Sequence, residues 1–345
     1  MPQKTGILLI NIGTPDDTTI GGIRRYLNEF LSDPRVIDLH PWARFLLVKC
    51  LILPFRPRKI QKSYRQIWTE AGSPLTVNSQ KLAEGLQNRL GSNYQVGYAM
   101  RYGSPSLPEV LAQFHEVKEL RLVPLYPQYA SSSTATALAR CYEILDEGWD
   151  QIPVSSVPAF FDDAGFIQAY SENIAAELSD FSWQHLLFSY HGLPERHLEK
   201  SGCAEVKAGC HDRPCPVKDI APRCYRGQSY VTSRLLAKSL QIDDFRWSVS
   251  FQSRLGRTPW IKPYTDLHLP ELYAKGIRNL AVCNPSFVAD CLETLDEVGI
   301  RLKDQWLSYP DTKFKAIGCL NAQPSWIEAL ASLISKPDLS SKNGV

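Results

Sequence analysis

Short β-branched segments alternate with helical patterns along nearly the whole chain, and that alternation restricts it to an α/β architecture built on parallel sheets. Candidate strands fall at 6–12, 94–98, 120–125, 154–157, 185–190, 247–251, 280–283 and 314–317. Between them, residues 18–31, 77–90, 134–147, 167–178, 228–240 and 326–333 carry apolar side chains at helical intervals. Eight strands suit two four-stranded sheets. The 345 residues exceed the usual size of one domain, and the turn at 148–153 is the weakest point for a boundary. No sequence repeat relates the two halves. The tail after Lys336 is expected to be disordered.

Charge narrows the function classes. A formal net charge of +2, with no basic stripe interleaved with aromatics, gives no footprint for nucleic acid. The start runs directly into a strand-like segment without a signal-peptide layout, so the expected compartment is the cytoplasm. The longest apolar run, 45–55, is interrupted by Lys49 and Pro54 and is too short to span a bilayer. Arg56, Arg58, Lys59 and Lys62 follow it. It reads either as a core-packed helix with a solvated end or as a segment resting at a membrane interface, a possible peripheral contact.

Two stretches carry the chemistry. Leu186 to Pro194 and Pro285 to Leu295 each begin or follow an apolar strand that breaks at Gly or Pro, which sets His191 and the pair Asp290 and Glu293 at strand exits. Open α/β sheets keep their ligand crevices there. On a helix, Asp290 and Glu293 would share one face. Such a pair can equally be acidic residues offsetting a helix dipole, and a lone histidine after a strand can be structural. The turn Asn11 to Pro15 has neither a dinucleotide fingerprint nor a Walker lysine; its Gly13 permits a sharp turn that leaves Ile12 at a pocket floor.

Seven sequence words occur in order from end to end: Asn11-Ile12-Gly13-Thr14-Pro15, Gly72-Ser73-Pro74-Leu75, Met100-Arg101-Tyr102, Leu125-Tyr126-Pro127-Gln128-Tyr129, Ser189-Tyr190-His191-Gly192-Leu193-Pro194, Phe251-Gln252-Ser253-Arg254-Leu255-Gly256 with Pro259-Trp260, and Phe287 to Glu293. In these words the chain resembles ferrochelatase over residues 6–330. The resemblance implies the chelatase fold: two Rossmann-like domains, each a four-stranded parallel sheet flanked by helices, with the active-site cleft between them. The expected domains are 1–150, joined by a C-terminal helix at 322–335, and 151–321, with a cysteine-rich insertion at 201–225. It further implies insertion of Fe(II) into protoporphyrin IX.

Metallation must remove two pyrrole protons and tilt a nitrogen lone pair out of the ring plane, so the site needs a base and a grip. By the resemblance, His191 accepts protons and can contact the metal, while Glu293 with Asp290 attracts Fe(II) and passes protons outward. An imidazole and a carboxylate leave metal positions open, so the ion can be surrendered. Ile12, Tyr64, Tyr126, Trp260 and Phe287 match pocket positions, and Ser73, Arg101 and Tyr102 could bind propionates or order the cleft. For each of these, core packing is an equally good reading.

Of the nine cysteines, Cys50, Cys141, Cys283, Cys291 and Cys319 sit singly in apolar patterns and read as buried thiols. Cys203, Cys210, Cys215 and Cys224 fall within 22 residues, which in a cytosolic chain points to a metal or cluster. Their spacing fits no zinc-ribbon pair. The family resemblance favours a [2Fe–2S] cluster, with zinc as the alternative and His211 able to replace one sulfur. The animal-type ligand set is absent, since Ser131 stands at the matching internal position and the C-terminal tail has no cysteine. Other readings are a coproporphyrin III or other tetrapyrrole chelatase, and an inactive iron–sulfur sensor or haem carrier. A monomer is favoured.

Overall fold

The computed structural model describes residues 4–146, 152–202, 223–254, 256, 258–336 and 340–341. The chain divides into two compact units. The first comprises residues 1–126, 131–158 and 321–345, the second residues 127–130 and 159–320. Each is described by itself.

In the first unit, β1 (Thr5–Gly13) lies between β2 (Tyr94–Tyr102) and β3 (Glu119–Pro124), and β4 (Val154–Ser156) extends the sheet beyond β3, all parallel. Leu9 opposes Tyr98 on one side and Val123 on the other. Ile7, Leu8, Leu9 and Ile10 are fully buried, so β1 is apolar on both faces, as a central parallel strand must be. One face packs Leu8, Ile10 and Leu122 against Leu107, Phe114, Leu138 and Cys141. Each fully buried side chain of this kind contributes about 1.5–3 kcal/mol. The helix Pro324–Ile334 packs on the helix Pro74–Leu90, and Arg121 Nη1 donates to the Ile334 carbonyl at 2.8 Å.

In the second unit the order is β6 (Trp247–Gln252), β5 (His185–His191), β7 (Asn279–Cys283), β8 (Lys313–Ala316), again all parallel. Leu187, Leu280 and Val282 pack against Leu269, Val298, Leu302 and Trp306. The Trp306 indole is fully buried, and its N–H lies within hydrogen-bond reach of the Arg278 and Lys313 carbonyls, at 3.1 and 3.0 Å. In both units the first strand sits between the second and third, so the connections diverge at the carboxyl end of β1 and of β5. Those are the topological switch points where α/β sheets bind ligands.

Four expectations need correction. Residues Ser340–Ser341 form a short β9 antiparallel to β4, so the tail does not stay unpaired throughout. The run 45–55 is not core-packed: the helix Pro41–Leu46 and the π-helical turn Leu47–Ile52 bury Val48 but expose Trp42, Phe45, Leu46 and Leu51, with Phe55 exposed just beyond. Cys50 is exposed with them. Asp290 lies in the loop before the π-helix Glu293–Leu302, not on one helical face with Glu293.

Candidate active site

The carboxyl ends of β5, β6 and β7 each deliver a buried polar side chain, and these bind one another. Ser189 Oγ donates to Gln252 Oε1 at 2.6 Å, and Asn284 Nδ2 donates to the same oxygen at 2.9 Å and to the Ser189 carbonyl at 3.0 Å. Gln252 Nε2 donates to the Glu293 carbonyl at 3.0 Å, tying the start of the π-helix to the strand ends. A buried network with its partners satisfied is rigid. Its role was missed in sequence; the only signal is a polar residue at the exit of each apolar strand.

His191 ends β5, half-buried. Its Nδ1 lies 2.6 Å from the Gly192 carbonyl. A carbonyl only accepts, so Nδ1 carries the proton and Nε2 of the neutral ring keeps its lone pair. The His191 N–H donates to Ser286 Oγ at 3.3 Å, and the Phe287 ring meets the imidazole edge to face at 6.3 Å. At Gly192 a Cβ would lie 2.7 Å from the Gln252 carbonyl oxygen and 3.3 Å from the Trp260 ring, so only glycine lets these elements close on the histidine. His191, Phe287 and Trp260 are thus neighbours of one turn.

The π-helix adds acid. Glu293 is its first residue, and Glu297, four residues on, faces Glu293 and His191 electrostatically. Burial first, and then the Glu293 charge, push the Glu297 carboxyl up, while a Ser253 hydroxyl bond, Arg301 and His191 oppose this. Arg301 also pairs with the buried Asp296, Nε to Oδ2 at 2.8 Å. π-Helical turns inside helices gather at functional sites. Glu297 was not singled out in sequence, although its spacing from Glu293 was a usable signal. Burial, followed by the Glu293 charge and a hydrogen bond to it, pushes the Cys291 thiol well up, so a thiol rather than a thiolate stands beside this carboxylate.

The residues expected in the first unit are differently placed. Arg101 and Tyr102 close on Asp33: Arg101 Nη2 at 2.6 Å, the Tyr102 hydroxyl at 2.9 Å and Thr136 Oγ1 at 2.6 Å all meet Asp33 Oδ2. Burial acts to raise the Asp33 carboxyl, yet the Thr136, Arg35 N–H, Tyr102 and Arg101 contacts outweigh it and hold it below the usual range. Ser73 Oγ donates to Thr14 Oγ1 at 2.9 Å, fixing the turn after β1. Gly13 there has φ of 107°, and a Cβ would fall 1.7 Å from the Tyr102 carbonyl oxygen. Tyr126 packs in the core with Ile12 at its margin, and Tyr64 is buried edge-on to Trp68.

Of the clustered cysteines, Cys203, Cys210 and Cys215, with His211, lie outside the described residues. Cys224 is buried at the N-terminus of the helix Tyr225–Ser239, where its Sγ accepts the Gly227 N–H at 3.4 Å. Helix N-termini favour a thiolate.

Comparison with known proteins agrees with the sequence words. The ferrochelatase family model matches residues 4–337. A ferrochelatase of Legionella pneumophila is 45% identical over 335 residues, covering 97% of this chain and 99% of that protein. A ferrochelatase of Coxiella burnetii is 44% identical over 338 residues, covering 97% and 94%. Among solved structures, SirB from Bacillus subtilis with Fe3+ superposes with a TM-score of 0.54 at 9% identity, covering 96% of this chain and 94% of its own. At that identity the likeness speaks for the fold alone.

Proposed function

The chain belongs to the ferrochelatase family, and from that premise we propose that it inserts Fe(II) into protoporphyrin IX, releasing two protons and forming protohaem in haem biosynthesis. The observation that carries this reading is the imidazole at the end of β5. Its Nδ1 proton is committed to the Gly192 carbonyl, which leaves the Nε2 lone pair as the ring's acceptor, and Glu297, itself next to the Glu293 charge, lies within its field. Nε2 of His191 accepts a pyrrole proton as the metal enters; a positioned base of this kind contributes about 10²–10⁴-fold. Glu293 supplies the negative charge that draws Fe(II) from water, and Asp290 and Glu293 pass protons outward. Phe287 and Trp260, packed against His191 and Gly192, present rings on which a macrocycle can lie. Ile12, Tyr64, Ser73 and Tyr126 remain substrate-binding candidates, whereas Arg101 and Tyr102 act by ordering the wall through Asp33.

The four clustered cysteines would hold a [2Fe–2S] cluster, with zinc as the alternative. The N–H that Gly227 directs at the Cys224 sulfur, at the start of a helix, suits a thiolate ligand to either. When bound, such a group supplies a redox-active or purely structural centre. Among the described residues no group of three or more His, Cys, Asp or Glu is arranged to hold a metal ion.

The exposed stripe supports peripheral contact with an anionic membrane surface. Trp42 is 64% and Phe55 72% exposed, and residues 39–69 contain Arg44, Lys49, Arg56, Arg58, Lys59, Lys62 and Arg65 without one acidic residue. Apolar side chains ringed by uncompensated cations are what an interfacial segment needs. A basic pocket lined by Arg24, Arg25, Asn28 and Lys49 opens on this unit. Among the described residues no helix is long and apolar enough to cross a membrane. The reading places the protein in the cytoplasm, a monomer resting at the inner membrane face.

An anaerobic porphyrin panel tests the proposal. With Fe(II) supplied, protoporphyrin IX is expected to be metallated faster than coproporphyrin III, and the same spectrum reports cluster absorbance. A preference for coproporphyrin III would move the assignment to a coproporphyrin chelatase. Haem binding without metallation of either porphyrin would replace the enzyme by a carrier.

A further inference from the structure

Asp290 stands in a loop, yet its carboxylate is held from two directions. Oδ1 accepts the Thr294 hydroxyl at 2.9 Å and the Cys319 backbone N–H at 3.3 Å, and the Cys319 thiol hydrogen-bonds the same side chain. Thr294 Oγ1 also accepts the Cys291 N–H at 3.0 Å, and of the two acceptors within reach of its one hydroxyl proton, Asp290 Oδ1 at 2.9 Å lies closer than the Cys291 carbonyl at 3.3 Å. The strand exit that carries Cys319 is fixed as well. Ile317 N–H donates to the Val282 carbonyl at 2.8 Å, and Asn173 Nδ2 donates to the Gly318 carbonyl at 2.8 Å. Thr294 and Cys319 are buried, so water does not readily replace either donor.

We infer that Thr294 and Cys319 are positioning residues that hold the Asp290 carboxylate in one orientation for proton exchange with the substrate. The inference rests on the reading of Asp290 as part of the metallation machinery. A carboxylate on a short loop samples several rotamers unless its oxygens are claimed. Donors from two separate elements, the π-helix and the exit of β8, fix both its place and its direction. Capping alone would need only the threonine; the second donor, 29 residues away in sequence, serves the carboxylate.

The test compares Thr294→Val, which keeps the shape and removes the hydroxyl, with Thr294→Ser, which keeps the hydroxyl. In the full chain with Fe(II) and protoporphyrin, Thr294→Val is expected to lower kcat about tenfold or more with the porphyrin KM unchanged, as misplacing a reacting group does. Thr294→Ser restores most of kcat. Cys319→Ala, which leaves the backbone N–H, moves kcat the same way by less and serves if Thr294→Val does not fold. Combining Asp290→Asn with Thr294→Val costs no more kcat than Asp290→Asn alone. A Thr294→Val protein that melts earlier but keeps its kcat, while Asp290→Asn is impaired, overturns the inference and leaves a helix cap. Normal turnover by Asp290→Asn beside an inactive His191→Ala overturns it through its premise, the role of Asp290.

Discussion

The two sheets share a strand order but treat charge at their carboxyl ends in opposite ways. In the first unit Asp33 is buried and fully answered, with Arg101, Tyr102, Thr136 and the Arg35 N–H all directed at one carboxylate. In the second unit Glu293 and Glu297 crowd each other in a partly desolvated turn, and Arg301, which pairs with Glu297, is shared with Asp296. A satisfied network builds a wall. An acid pair held against its own repulsion is a group prepared to take a proton or a cation, and a carboxyl raised as that of Glu297 is belongs with working sites more often than with walls.

Three substitutions can break or sharpen that contrast, and the largest effect falls on the first unit. Asp33→Asn strands the Arg101 guanidinium in a buried place, and removing one partner of such a pair costs about 3–5 kcal/mol. Chemical denaturation should show it. Because contacts hold the Asp33 carboxyl low, its stabilisation is present above the ordinary aspartate range and is lost as pH falls through its own lowered value. The variant should therefore lose part of the wild-type acid transition as well as overall stability. A stability unchanged at neutral pH would mean that the wall does not depend on this charge.

Next comes Gln252→Leu, which leaves Ser189 and Asn284 without their shared acceptor and frees the Glu293 carbonyl; one unsatisfied buried group costs about 1–3 kcal/mol. Turnover should fall with it, because the π-helix start is no longer fixed. Full activity with reduced stability would separate the network from the chemistry. The smallest effect has the opposite sign. Glu297 is raised by burial and by Glu293, so whatever it contributes is present below the ordinary glutamate range and is lost as pH rises through its raised value. Glu297→Gln should therefore raise the stability at neutral pH slightly, read as a small upward shift in melting temperature. A destabilised variant would show that Ser253 and Arg301 already satisfy that carboxylate.

Much of the fold was legible because local periodicity and tertiary role agree. The unbroken apolar run of β1 is what burial on both faces requires, and the helices on either side keep their stripes. The placement of His191 was legible, since a strand, a histidine at its exit and a glycine after it form one local unit. Asp33 was not, because its side-chain partners lie 68, 69 and 103 residues away and the nearby Arg35 N–H would bind an exposed aspartate just as well. The stripe from Trp42 to Phe55 defeats composition for a different reason. An apolar helix face reads the same whether it meets a core or faces outward, and only the packing of Val48 and Leu53 inward decides which face is left. The π-helix was hidden because its residues would equally make an ordinary helix.

The central claim is that the imidazole ending β5 takes the porphyrin proton. Anaerobic Fe(II) insertion into protoporphyrin IX, followed optically in the wild type and in His191→Ala with circular dichroism on the same samples, tests it most directly. The account predicts a rate lower by on the order of 10²–10⁴ in a protein that is still folded. A folded His191→Ala protein turning over at the wild-type rate would contradict it.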